Sequence, residues 1–208
     1  MTDTLYYVHD PMCSWCWGFA ATLDSVLETL PEDVSVVHLL GGLAPDSNEP
    51  MPESMQQGLQ QTWKQIAEVI PGTEFNFAFW TDNAPRRSTW PSCRAVIAAR
   101  RQSRDFERPM IKAIQRAYYL DAKNPSDSDT LLQCAKDIGC DGAVFSNDFE
   151  SEDVSNEFLD ELRQVQRYGV RGFPSLVLQK ADGSAFSVPV EYQHANRILE
   201  RIDHLRAT

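Results

Sequence analysis

The sequence predicts an α/β fold: a mixed sheet laid down as βαβ…ββα, with a helical stretch inserted between its second and third core strands. Three observations carry this. Two apolar runs near the N-terminus, Leu5-Tyr6-Tyr7-Val8 and Val34–Leu40, flank a stretch with helical spacing. Parallel strands need a crossover of about a dozen residues, and an amphipathic helix supplies one. The C-terminal part then reads strand, hairpin, strand, helix, whereas about 53–168 repeats apolar residues at helical intervals.

The first strand covers Leu5–His9. Asp10-Pro11 interrupts it, because a residue before proline avoids the helical region. A helix follows from Ser14 or Trp15 to Leu30, with Phe19, Leu23, Val26, Leu27 and Leu30 on one face, and Pro31-Glu32-Asp33 closes it. Val34–Leu40 reads as a buried second strand stopped by Gly41-Gly42. Pro45–Pro52 is loop. Helices are predicted over Glu53–Ile70, Pro91–Gln102, Asp105–Asp121, Asp129–Ile138, Asp141–Phe149 and Asp153–Tyr168. Residues 71–89 form a long loop in which Phe75, Phe77, Phe79 and Trp80 are core anchors or an apolar face for a peptide. Ser175–Gln179 and Ala185–Val190 flank Ala181-Asp182-Gly183-Ser184, and Asp-Gly is a hairpin signal. A helix over His194–Arg206 buries Ile198, Ile202 and Leu205. Residues 1–50 and 169–208 are thus expected to form the sheet domain, and 51–168 an inserted helical domain.

The net charge of −11 repels a phosphate backbone, so nucleic-acid and anionic-membrane partners are not expected. No apolar run reaches the roughly 20 residues that span a bilayer. The N-terminus lacks the basic start and apolar stretch of a secretory signal, which points to the cytoplasm. Five cysteines, an odd number, do not read as a disulfide-stapled scaffold.

Chemistry concentrates at Cys13-Ser14-Trp15-Cys16. The pair sits between strand and helix, so its first thiol falls at a helix N-terminus, where unpaired N–H groups and the helix dipole favour negative charge. The thiolate is the nucleophile of disulfide exchange. Cys16 lies one turn further into the helix. Zinc sites use the same Cys-x-x-Cys spacing but need two further ligands; Cys134 and Cys140 are the cysteines at hand, and as a pair they could instead form a second disulfide. Otherwise they, like Cys93, are small core residues. His9 ends the first strand near Cys13, as a thiolate neighbour or simply a strand-end residue. His38 reads as a core histidine, and His194 and His204 as helix-surface residues. Asp24 and Glu28 face water.

Asp10-Pro11-Met12-Cys13-Ser14-Trp15-Cys16-Trp17-Gly18-Phe19, taken with Gly169-Val170-Arg171-Gly172-Phe173-Pro174, resembles the DsbA family of thioredoxin-fold proteins, in its FrnE-like, protein-disulfide-isomerase-like subgroup. The resemblance covers nearly the whole chain and implies a thioredoxin-like sheet with a helical insert. It implies that Cys13 attacks, that Cys16 resolves, and that Pro174 is a cis-proline beside the dithiol. Phe173 would offer its backbone to substrate, with Trp15 and Met12 as further substrate contacts. The implied activity is thiol–disulfide exchange on protein or peptide thiols, biased toward oxidation or isomerisation. No cofactor beyond the redox-active disulfide is implied, and glutathione is a candidate co-substrate. Two alternatives stay open. Kappa-class transferases and chromene-carboxylate isomerases share the layout and use glutathione, but carry serine where Cys13 stands. A non-enzymatic zinc-bound or peptide-holding module is the other.

Overall fold

The computed structural model describes residues 2–208. Its sheet has four strands in the order β2-β1-β3-β4. β1 (Asp3–His9) pairs in parallel with β2 (Val34–Leu40), in register from Asp3↔Val34 to His9↔Leu40. α1 (Ser14–Thr29) is the crossover between them. β3 (Ser175–Gln179) returns antiparallel to β1, and β4 (Ala185–Val188) is antiparallel to β3. β4 ends two residues short of the predicted Val190.

Side-chain alternation gives the sheet two covered faces. Leu5 and Tyr7 of β1 with Leu176 and Leu178 of β3 pack on Phe19, Leu23 and Val26 of α1 and on Ile198, Ile202 and Leu205 of α9 (Ala195–Ala207). On the other face Val8 and Leu39 meet Val165 of α8 (Glu152–Arg167). The expectation that β2 is buried throughout is corrected: Ser35, Val36 and Val37 are exposed. β2 is an edge strand, buried at its first residue, Val34, and over its C-terminal part, His38–Leu40, with an exposed stretch between.

Every further element between β2 and β3 is helical: α2 (Glu53–Val69), α3 (Phe79–Asp82), α4 (Trp90–Gln102), a 3₁₀ turn at Arg104–Phe106, α5 (Glu107–Tyr119), α6 (Ser128–Asp137), α7 (Gly142–Phe149) and α8. α4 is central. Cys93 and Ala95–Ala99 are all buried, because α5, α6, α7 and α8 surround it. Cys134 and Cys140 belong to this core and are free thiols. A second apolar cluster joins this region to the start of α1: Trp63 with Phe79, Trp80, Tyr118, Tyr119, Met51 and Met12. Phe75 also packs there, so the aromatic residues of the 71–89 stretch serve mainly as anchors; Phe77 is 36% exposed but edge-on to Trp63.

Beneath the strand ends lies a buried ionic knot. Arg100 of α4 reaches Glu107, Glu157 and Glu161, and Glu161 accepts the Leu40 N–H at 2.7 Å. This carboxylate ties α8 to the end of β2. Burial pushes its pKa up, and Arg100 opposes that rise.

Candidate active site

Cys13 is the N-cap of α1, in extended conformation at φ −82° and ψ 113°. Its sulfur accepts the Cys16 N–H at 3.3 Å. Its own N–H donates to the Asp10 carbonyl at 3.0 Å, and the thiol approaches the Phe173 carbonyl at 3.5 Å. The Phe173-Pro174 bond is cis, as the resemblance implied. Two segments 160 residues apart therefore meet at one sulfur. Cys13 is 6% exposed and Cys16 fully buried, and both are free thiols. Burial, and secondarily hydrogen bonding and charge from Cys13, push the Cys16 pKa well above that of an ordinary thiol.

Asp10, read from sequence only as a turn residue, is the main polar support of this loop. It is fully buried. One carboxylate oxygen accepts the Met12 N–H at 2.8 Å. The other accepts the Leu43 N–H at 2.8 Å, the Thr89 hydroxyl at 2.6 Å and the Cys93 thiol at 3.6 Å. One side chain thus pins the dithiol loop to the segment after β2 and to the start of α4. Burial raises its pKa, against the pull of these donors. The sequence did carry a signal: a lone carboxylate three residues before the first cysteine. Its partners other than Met12, however, lie 33 to 83 residues away. Cys93 is a core residue as expected, and is also one of these donors.

Two glycines after β2 shape the other side. Gly42 has φ +61°, a conformation that favours glycine, and a Cβ there would also strike Phe158 and Trp90. Gly41 has a different reason. The Phe173 ring lies directly on its Cα, so that an added Cβ would sit 2.7 Å from ring Cε2 and closer still to Cζ and Cε1. Sequence reading saw only a strand stop here.

The remaining candidates fall in different places. Trp15 is half-buried against Tyr192, ring centroids 5.2 Å apart. Phe173 is half-buried beside Val8, Leu39 and Val165. Met12 is 9% exposed and turned into the Trp63 cluster, while its N–H is held by Asp10. Trp17 stacks on Tyr119 at 5.5 Å and donates to the Glu74 carbonyl at 3.0 Å. His9 does not serve a thiolate. It is fully buried, stacked on Tyr7 at 4.7 Å, and both ring nitrogens lack hydrogen-bond partners among the described residues. Burial drives its pKa well below the usual value, so the ring is neutral. His38, edge-on to His9 at 5.7 Å, is shifted the same way, chiefly by burial. Asp24 binds Arg108 and Lys112 at the surface. Among the described residues no three His, Cys, Asp or Glu side chains gather as metal ligands.

The family model described as Thioredoxin matches residues 6–201. The chain belongs to the thioredoxin family. Among solved structures, this thioredoxin-family protein is similar to a proposed protein disulfide isomerase from Nitrosomonas europaea. The TM-score is 0.86 at 25% identity, covering 98% of this chain and 97% of that one. It is also similar to the cytosolic disulfide reductase DsbM from Pseudomonas aeruginosa, with TM-score 0.75, 25% identity and coverage of 98% and 95%. DsbM has also been solved with glutathione, and that structure matches at 24% identity with TM-score 0.73. The DsbA-like fold expected from sequence is therefore the observed one. Curated relatives include the ClpXP adapter protein SpxH of Halalkalibacterium halodurans, 21% identical over 177 residues, or 83% of this chain and 57% of the adapter. SpxH of Bacillus subtilis is 21% identical over 193 residues, 91% of this chain and 63% of the adapter. The chain spans about three-fifths of the length of these adapters. A thiol–disulfide oxidoreductase fold of DsbA type is what these likenesses support.

Proposed function

We propose that this protein exchanges thiols and disulfides in protein or peptide substrates through Cys13 and Cys16. The carrying observation is the position of the Cys13 sulfur: at the open N-terminus of α1, accepting the Cys16 amide, opposite the Phe173 carbonyl beside Pro174. The Cys13 thiolate attacks one sulfur of a substrate disulfide. A Cys13–substrate bond forms, the substrate S–S bond breaks, and the other substrate sulfur leaves as thiolate. Cys16, deprotonated, then attacks the Cys13 sulfur, which releases the second substrate thiolate and closes the Cys13–Cys16 disulfide. Two electrons pass to the substrate; the reverse sequence oxidises a dithiol. Burial keeps Cys16 protonated until the mixed disulfide forms, so Cys13 attacks first. In this reading the Phe173 backbone and the Trp15 ring contact substrate.

A helix N-terminus facing the attacking sulfur stabilises the reduced pair, which supports a bias toward oxidation or isomerisation. The cytosolic reductase among the similar structures supports a cytoplasmic setting and glutathione as a co-substrate. Trapping tests the reading: Cys16→Ser accumulates mixed disulfides and Cys13→Ser accumulates none. Absence of adducts in Cys16→Ser would reject it. Equilibration with glutathione buffers tests the bias, and a potential at or below about −270 mV, that of thioredoxin, would reverse it. The adapter relatives favour a second reading, client holding without chemistry. Client binding that survives loss of both cysteines would select it.

A further inference from the structure

A groove of about 400 Å³ opens on the α8 side of the sheet, next to the Phe173-Pro174 segment. Its floor is the outward row of β3 and β4: Ser175, Val177, Ala185 and Ser187. One wall carries Arg167, the last residue of α8, and Arg171, two residues before Phe173. No carboxylate lines it, in a chain with 30 acidic and 19 basic residues. Both arginines are exposed, and neither makes an ion pair among the described residues. Arg167 also borders the neighbouring groove, where Glu107, Glu157, Asp160 and Glu161 lie, whereas Arg171 does not; apart from Arg104, the other cations around the remaining grooves are paired. Lys112 and Arg108 bind Asp24, Arg116 binds Asp121, Arg101 binds Glu157, and Arg100 sits among three glutamates. Asp182, in the hairpin at the far end of the same strands, is turned onto Ser184. The floor carries small side chains, two serines among them, and its outer strand β4 is a sheet edge with backbone groups free to pair, so an extended chain fits there.

We infer that this groove holds an acidic, extended segment of the substrate beside its reactive cysteine, an inference that rests on the proposed exchange at Cys13. Ser175 is two residues from Phe173, whose carbonyl is 3.5 Å from the Cys13 sulfur. The near end of the groove thus lies on the order of 10 Å from the reacting atom, a span of about three extended residues. Glutamate or aspartate at that remove meets Arg167 and Arg171. Arginine suits the task because its fork binds carboxylate with two parallel hydrogen bonds. Exposed pairs are modest, roughly two- to fivefold each, and they weaken with salt.

The test uses the full chain carrying Cys16→Ser. Its partners are synthetic peptides whose single cysteine is disulfide-bonded to thionitrobenzoate, with Glu, Gln or Lys three to five residues away. Cys13 attacks the peptide sulfur; the Cys13–peptide bond forms, and thionitrobenzoate leaves as the coloured anion, so no added oxidant is needed. The Glu peptide is expected to release dye several-fold faster than the Gln peptide, and the Lys peptide slowest. Arg167→Gln with Arg171→Gln brings the Glu/Gln ratio near one, as does high salt. A matched loss of charge on α9, Arg197→Gln with Arg201→Gln, keeps the ratio. Equal rates for the three peptides, or a preference that survives the Arg167/Arg171 exchange, overturns the inference while leaving exchange at Cys13 intact. A preference confined to the thionitrobenzoate disulfide of glutathione also overturns it, in favour of that smaller ligand. Release from no peptide removes the underlying reading and this inference with it.

Discussion

Gly41→Ala probes the link between the glycine after β2 and the Phe173-Pro174 loop. The Phe173 ring covers the Gly41 Cα, and a methyl group there would lie 2.7 Å from Cε2 and nearer to two other ring carbons. Carbon atoms prefer separations of about 3.5–4.0 Å, so the ring must retreat by roughly 1 Å or more. It cannot sink, because Val8, Leu39 and Val165 are packed behind it. Overpacking of this kind costs about 1–3 kcal/mol. For a chain of this size that lowers Tm by roughly 2–12 °C. The Phe173 carbonyl shares the residue's backbone, so a shift of the ring that carries the backbone with it alters the 3.5 Å approach to Cys13. A misplacement of about 1 Å near reacting atoms can cost as much as a hundredfold in rate. Two assays read the effect: thermal unfolding, and the rate at which the Cys16→Ser protein captures a peptide disulfide. Phe173→Ala in the Gly41→Ala background supplies the cycle. With the ring gone the methyl has room, so the double variant is more stable than the sum of the single losses by about 1–3 kcal/mol. Wild-type Tm and capture rate in Gly41→Ala, or strict additivity in the cycle, would refute the reasoning.

Three further predictions follow from buried charge. His9 and His38 have lowered pKa values, chiefly through burial, so the unfolded chain takes up their protons first. The stability they contribute is complete above the unfolded value of about 6.5 and falls as pH drops below it, by up to about 1.4 kcal/mol per pH unit for each ring. Asp10, with a raised pKa, acts in the opposite sense: its contribution is present below about pH 4 and is lost as pH rises through the folded value. Denaturant midpoints should therefore decline as pH is lowered from 6.5 to 5 in the wild type and decline less steeply in His9→Phe; a flat wild-type profile would contradict the assignment. Arg100→Met leaves the buried Glu161 without its cation, at a cost of about 3–5 kcal/mol, and Glu161→Gln added to it recovers part of the loss because glutamine still accepts the Leu40 N–H. Thermal melts of the two variants read this directly. Asp10→Asn turns an amide toward the Leu43 N–H and Thr89, costing on the order of 2–4 kcal/mol, and frees the dithiol loop. Alkylation of Cys13 should then change with far less change at Cys134; equal changes at both would mean general loosening.

Local pattern made much of this molecule legible. Period-two and helical spacing are properties of neighbouring residues, so α1, β3 and most helices of the insert fell within two residues of their expected ends. The change from strand to helix pattern also places Cys13 at a helix N-terminus from sequence alone. β2 was misread because apolar composition does not report whether a strand lies at the centre or the edge of a sheet. That Met12 turns into the Trp63 cluster was not legible either, because nearness in sequence to Cys13 says nothing of which way a side chain turns.

The chain alone determined the order of elements and the two motifs that meet at Cys13, since both are written in contiguous residues. Tertiary structure alone decided what lies around the sulfur. Asp10 gathers donors from Leu43, Thr89 and Cys93, Gly41 gives its space to Phe173, and Arg167 and Arg171 border a groove free of carboxylates. Those relations join residues far apart along the chain. They exist because desolvating a carboxylate or seating an aromatic ring requires partners at fixed distances in space, whatever their separation in sequence.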